Sequence, residues 1–190
     1  LIPPRKLHNT SWGYSCVYET PEGQTVGIVK SLSYMTHVTI HSNSLSLYDY
    51  ITPSITLVSD LKPSQMYDKV KVFINGAWVG ISLEPNNLYM TLKDMKSKSI
   101  INIYTSIVFD YKLQEIRVCN DSGRLSRPLL RVKDNKILIN SKIIEKLRSG
   151  ELTWDNLFTD TVLPEAVLEY IDPDEQNYSL IAMNPKDLYN

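Results

Sequence analysis

Apolar and polar residues alternate through Val70-Lys71-Val72-Phe73-Ile74 and again through Ala77-Trp78-Val79-Gly80-Ile81, with Asn75-Gly76 between. That dipeptide tolerates positive φ at both central positions of a type I′ turn, so the pattern predicts a two-residue β-hairpin. The period then changes. Glu84-Pro85-Asn86-Asn87-Leu88 opens a helix with Pro in the first turn, where its missing N–H costs nothing. Leu88, Leu92 and Met95 fall at i, i+4 and i+7 to give one apolar face, and Lys93, Lys96 and Lys98 suit its C-terminal end. Strand-like runs follow at 103–109, 115–119 and 129–132, with Asp121-Ser122-Gly123 as a turn. Asn140 or Ser141 can cap a short helix carrying Ile143, Ile144 and Leu147 and stopped at Gly150. Residues 153–158 predict a turn of helix, and 166–171 and 180–183 terminal strands. Upstream, the β-branched and aromatic residues of 26–39 also predict strands, before a Ser/Asn-rich boundary at 41–46.

Strands interrupted by isolated helices, without regular strand–helix alternation, predict an α+β fold of mainly antiparallel β modules with a few short amphipathic helices. The length suits two small modules meeting near 108–110. Composition narrows the class without choosing a function. With 190 residues, 43% hydrophobic and 22% charged, the chain can bury a core and is neither low-complexity nor disordered. No apolar run reaches about 18 residues, so no membrane helix is expected. Cys16 and Cys119 are the only cysteines, too few for a disulfide framework or a four-thiolate cluster, so an intracellular reducing compartment is the expectation. The opening Leu-Ile-Pro-Pro reads as a piece of a longer chain.

The net charge of −1 conceals a division. Residues 1–150 carry 19 Lys/Arg against 12 Asp/Glu, a balance of +7, while 151–190 carry one Lys against nine acids, a balance of −8. Arg124, Arg127, Arg131, Lys133, Lys136, Lys142, Lys146 and Arg148 face only two acids in their stretch. Such a cluster can follow a phosphate backbone. No aromatic residue interleaves with it as a base-stacking surface requires, which favours a solvated face or a patch that docks the acidic tail.

Catalytic motifs are nearly absent. Gly23-Gln24-Thr25-Val26-Gly27-Ile28-Val29-Lys30-Ser31 misses a phosphate loop because three strand formers separate the last Gly from Lys30. His37 and His41, four apart on extended backbone, stand about 13 Å apart, too far for one ion. No nucleophile elbow occurs, and Cys16 with His8 is an arbitrary pairing. Thr20-Pro21-Glu22-Gly23 is a well-made turn: Pro fixes φ, Gly permits a close backbone, and Glu22 projects at the tip.

The order Arg5, His8, Thr10, Trp12, Gly13, Cys16, Thr20, Pro21, Glu22, Gly23, Gly27 and Ile28 resembles, in spacing throughout, the fork motif of the second-largest (β-type) subunit of multisubunit DNA-directed RNA polymerases. The resemblance continues through Val72-Phe73-Ile74-Asn75-Gly76-Ala77-Trp78-Val79-Gly80, through Asp121-Ser122-Gly123-Arg124-Leu125-Ser126-Arg127-Pro128-Leu129, and through Glu169-Tyr170-Ile171-Asp172 and Leu180-Ile181-Ala182-Met183. It follows the archaeal, eukaryotic and large-DNA-virus pattern.

What this resemblance implies is a division into a fork tail at 1–40, a first external domain at 41–108, a second at 109–175, and the start of a hybrid-binding region at 176–190. Arg5, His8, Glu22 and Gln24 would lie near the active centre or nucleic acid, with Arg5 contacting phosphate and His8 and Trp12 shaping the fork. Arg124, Arg127, Arg131 and Lys133 form a candidate basic surface. The segment would hold no cofactor and no catalytic residue of its own. In the full polymerase, Mg²⁺ would be bound mainly through the largest subunit. Partners would be the largest and other subunits, template DNA and nascent RNA, with no membrane. The compartment would be the nucleus, or the cytoplasm or virion for a viral source. The alternative is a self-standing interaction or nucleic-acid-binding module derived from the same fold.

Overall fold

A computed structural model describes residues 2–189. In chain order the elements are β1 (His37–Val38), α1 (Leu45–Ile51), β2 (Thr56–Leu57), β3 (Val70–Ile74), β4 (Ala77–Ser82), α2 (Pro85–Ser97), β5 (Ser106–Asp110), β6 (Glu115–Cys119), β7 (Leu125–Leu130), β8 (Val132–Lys133), β9 (Lys136–Ile137), α3 (Ser141–Ser149), β10 (Leu168–Ile171) and α4 (Pro173–Asn177), joined by turns and short 3-10 helices. The fold is α+β.

The first core is built on a five-stranded sheet ordered β2-β4-β3-β6-β5, antiparallel throughout except for the parallel pair β3–β6. The predicted hairpin joins β3 to β4, with Asn75 at φ 49° and Gly76 at φ 80°. Alternation puts Val72 and Ile74 of β3, Ile116 and Val118 of β6, and Ile107 and Phe109 of β5 on one face. Leu88 and Leu92 of α2 and Leu47 and Ile51 of α1 close over that face. Each such burial stabilises the fold by roughly 1.5–3 kcal/mol against conformational entropy. Lys96 lies one further turn along the stripe of Leu88 and Leu92 and is buried with them. The helix-end role expected of it is therefore replaced by an internal ion pair.

The second core is built around β10. Leu152, Leu157, Phe158, Leu163, Val167, Leu168 and Tyr170 are buried together, and Ile143 and Leu147 of α3 pack against them. The Asn140 side chain caps α3 by accepting from the Ile143 N–H at 3.0 Å. Residues 155–158 form the predicted short helix.

Three expectations are corrected. Residues 26–39 yield only the two-residue β1 and an isolated bridge between Ser15 and Leu32. Val26, Ile28, Val29, Leu32 and Tyr34 are exposed, so strand propensity has no packing to support it. Residues 180–183 form no strand, and Leu180 and Met183 face solvent. The strand expected at 129–132 begins instead at Leu125 and carries Pro128 inside it. β1 pairs only with Leu125 and Ser126, so at Pro128 the strand has a partner on one side alone, where a missing N–H is tolerated. Residues 108 and 109 both lie within β5, and the sheet of the first core continues to Cys119.

Candidate functional site

The N-terminal candidates sit on an irregular two-legged loop. Its legs are joined at the base by the Ser33 N–H donating to the Tyr14 carbonyl at 3.1 Å and the Cys16 N–H donating to the Ser31 carbonyl at 2.8 Å. Further out, the Thr20 hydroxyl donates to the Val29 carbonyl at 3.0 Å and accepts from the Gly27 N–H at 2.8 Å. Thr20 thus holds the Pro21-Glu22-Gly23 turn against the returning leg. Glu22 and Gln24 stand exposed at the tip.

Arg5 crosses this loop from outside. Its Nη1 donates to the Val26 carbonyl at 3.0 Å. A Cβ at Gly27 would stand 2.3 Å from the Arg5 carbonyl oxygen, so the close approach of the two backbones demands glycine there. His8 is exposed; its Nδ1 lies 2.8 Å from the Thr10 hydroxyl and accepts from the Thr10 N–H, capping the short 3-10 turn Asn9–Ser11. Arg5 therefore braces the loop and His8 caps the turn that precedes it, while Glu22 and Gln24 are what the loop presents.

Among residues 2–38 only Tyr14 is buried. Its hydroxyl donates to the Ile171 carbonyl at 3.2 Å, and burial pushes the phenol up to about 12 despite the nearby Arg127. The segment is anchored at its base and exposes Trp12, Tyr18 and Ile28.

The four basic candidates do not form one free face. Arg124 donates to the Asp172 carboxylate at 3.0 Å and to the Tyr104 carbonyl at 2.9 Å. Arg127 donates to the Gln176 side chain at 2.7 and 3.2 Å and lies 5.3 Å over the Tyr14 ring. Arg131 donates to the Ala166 carbonyl at 3.0 Å, and Lys133 pairs with Glu165. Each reaches into the acidic C-terminal quarter, as charge complementarity between the two parts dictates.

Two groups escaped the sequence reading. One is the ionic cluster of Lys93 and Lys96 on α2 with Glu169 of β10 and Glu175 of α4, in which Lys96 also donates to the Tyr170 carbonyl at 2.7 Å. The available signal was Lys96 falling on the apolar stripe. The other is Tyr14, which nothing local distinguishes from the exposed Tyr18. Among the described residues no three His, Cys, Asp or Glu side chains converge to hold a metal ion, and no helix is long and apolar enough to cross a membrane. An apolar groove of about 510 Å³ lies between β7 and residues 180–188, and none of its lining belongs to the loop.

The chain thus carries a short loop tied by Arg5, Thr20 and Gly27 and anchored on β7 and β10, and, separately, a five-stranded sheet with an Asn-Gly hairpin. The family described as RNA polymerase Rpb2, domain 3, matches residues 2–38, and RNA polymerase Rpb2, domain 4, matches residues 72–133, a span that crosses β5. The DNA-directed RNA polymerase II subunit RPB2 of Encephalitozoon cuniculi is 42% identical over 189 residues, covering 99% of this chain and 16% of that protein. The DNA-directed RNA polymerase subunit 2 of Acanthamoeba polyphaga mimivirus is 32% identical over 189 residues, covering 98% and 15%. The DNA-directed RNA polymerase subunit Rpo2 of Sulfolobus acidocaldarius is 30% identical over 198 residues, covering 97% and 17%. The chain belongs to the family of second-largest subunits of DNA-directed RNA polymerases. It spans about one sixth of the length of these relatives.

Proposed function

We propose that this segment serves DNA-templated RNA synthesis as the tail of a fork beside the active centre and as an outer-surface module of the assembled polymerase, and that it is inactive alone. Residues 1–40 form the fork tail, and the units up to about residue 175 form the external part, with the first sheet extending to Cys119. The last residues begin the hybrid-binding region. The observation that carries this reading is the fork motif itself: its residues brace one loop whose exposed tip is Glu22 and Gln24.

In that setting Arg5, which lies against Val26 and Gly27 in the outer part of the loop, contacts phosphate, and His8 and Trp12 shape the fork. Glu22 tunes the potential around the RNA end, since a carboxylate near phosphates repels them unless a cation intervenes. Residues 20–24 supply a single carboxylate, too little to hold a metal; the resemblance implies that the Mg²⁺ of the full polymerase, which would stabilise the attacking and leaving oxygens, is bound mainly through the largest subunit. The partners are the largest and other polymerase subunits, template DNA and nascent RNA, in the nucleus, or in the cytoplasm or virion for a viral source. The reading as a self-standing nucleic-acid-binding module is weaker, because Arg124, Arg127 and Arg131 already donate to groups within the chain.

A chimera tests the proposal. Replacing the matching segment of the Encephalitozoon cuniculi subunit by this one, in a reconstituted polymerase, is expected to retain nucleotide incorporation within about tenfold of the parent. Shortening the turn at 20–24 in the chimera is expected to impair it. A chimera that assembles and transcribes equally well without the turn overturns the assignment.

A further inference from the structure

We infer that residues 172–178 form a polar clasp that positions the N-terminal loop, with Arg127 as the positioning residue that connects the two. The functional consequence rests on the fork reading; the clasp itself does not. Along this short stretch successive side chains engage different parts of the chain. Asp172 accepts from the Ser106 hydroxyl of β5 at 2.9 Å and from Arg124 at 3.0 Å. Asp174 pairs with Arg117 of β6 at 3.1 Å. Glu175 takes Lys93 and Lys96 of α2 at 2.6 and 3.1 Å. Gln176 takes Arg127 of β7, and the Tyr178 hydroxyl donates to Asp110 of β5 at 2.5 Å.

The loop is tied to the same point. Tyr14 bonds the carbonyl of Ile171, the residue before the clasp begins, and its ring lies under the Arg127 guanidinium. A Cβ at Gly13 would stand 2.7 Å from Arg127 Cδ, so the arginine stem passes where any other residue at position 13 would intrude. From Tyr14 the rungs at Ser33, Cys16 and Thr20 run to the tip at Glu22. Hydrogen bonds are directional, so this junction fixes an angle where an apolar contact would permit sliding. A planar guanidinium can give Gln176 two donors and lie over an aromatic ring together, a rigid fork that an ammonium lacks. The clasp therefore links α2 and the first sheet, the second core and the loop at one joint, and Arg127 carries its geometry to the loop base.

The test is hydrogen exchange on the whole 190-residue chain and on Arg127→Lys, Gln176→Ala and the double variant. Each single change is expected to raise exchange at the Cys16 and Ser33 amides at least tenfold while leaving the β3 and β4 amides unchanged. The double variant is expected to show no more than the larger single effect, as for two groups in one path. Unchanged exchange at Cys16 and Ser33 in both single variants overturns the clasp, as does an equal rise in β3. In a reconstituted polymerase, Gln176→Ala is expected to change elongation rate about two- to tenfold. Loop exchange that rises while elongation stays the same leaves the clasp standing and overturns its role in the fork.

Discussion

Lys96 Nζ lies 3.1 Å from Glu175 Oε2, and the two side chains are only 3% and 2% exposed. Two charges taken so far from water are held by each other, by Lys93 and Glu169, and by the Tyr170 carbonyl. Glu175→Ala leaves a buried ammonium with only part of its compensation, and the expected loss is about 3–5 kcal/mol of unfolding free energy. Replacing both Lys96 and Glu175 by Met keeps the Lys93–Glu169 pair and is expected to fall within about 2 kcal/mol of the parent. Urea unfolding of the two variants distinguishes a missing partner from missing packing.

The same cluster sets an acid dependence. Burial raises the Glu169 carboxyl, but Lys96 and Lys93 outweigh it and bring it from 4.5 down to about 2. A carboxylate depressed in the folded state contributes stability above its unfolded value, and that contribution is lost as pH falls. The urea midpoint is expected to hold steady above about pH 5 and to fall between 4.5 and 2. In Glu169→Gln, less stable at neutral pH, that decline is expected to be shallower. An unchanged slope would show that other carboxylates govern it.

Asn75 is held by more than its turn. Its side-chain amide donates to Asn120 Oδ1 at 2.8 Å, and the Asn120 N–H donates to Asn75 Oδ1 at 2.9 Å. Asn75→Ala removes both bonds and places Ala at positive φ. The expected cost is about 2–3 kcal/mol, larger than that of the same change in an isolated hairpin. Asn75→Asp, which keeps one acceptor and the tolerance of left-handed backbone, is expected to lose less. Thermal unfolding orders the two.

Glu22→Ala is expected to leave the fold intact, since Pro21 and Gly23 hold the turn and Thr20 pins it. In an assembled polymerase we expect a change in elongation rate or fidelity of up to roughly tenfold, in either direction, without loss of catalysis. Complete loss of nucleotide addition would assign Glu22 a required ligand or donor. An unaltered rate and error frequency would place it away from the active centre.

The isolated chain is expected to add no nucleotide and to bind DNA no tighter than about 10⁻⁵ M at physiological salt, with affinity falling as salt rises. Its arginines at 124, 127 and 131 are engaged internally, and the net charge is −1. Fluorescence anisotropy with a labelled duplex measures this directly, and submicromolar, salt-resistant binding would sink the idea.

Elements whose information is local were legible in the sequence. The Asn75-Gly76 hairpin, the helix opening at Pro85, β6 and the Asn140 cap each declare themselves through a turn dipeptide, a helix-start residue or a short period. Elements decided by distant partners were not. Residues 26–39 have the composition of strands, yet only His37 and Val38 find a strand to pair with, and Pro128 sits in a strand that propensity alone would begin after it. Lys96 reads as a helix-end charge until Glu175, 79 residues away, is seen beside it. At the loop, the family resemblance singled out Arg5, His8, Glu22 and Gln24, but only coordinates show that Arg5 bonds the returning leg while Glu22 and Gln24 stand exposed at the tip. For the basic stretch, docking onto the acidic tail was one of the readings its charge complement offered, and Arg124, Arg127, Arg131 and Lys133 are disposed that way.

β5 is the last strand of its sheet; α1 and α2 cover Ile107 and Phe109, and the chain returns more than sixty residues later to lay α4 beside the strand, with Asp172 taking Ser106 and Tyr178 taking Asp110. A polypeptide growing from its N-terminus completes the five strands by Cys119 but has nothing to cover that margin until Tyr178 has been made. During this interval an unpaired strand edge is open to other nascent chains, the usual route to edge-to-edge aggregation. Pieces of this protein that stop between residues 120 and 170 should accordingly be poorly soluble, whereas those reaching residue 180 should not. In folding, the acidic tail acts as a guard rail as much as a counter-charge.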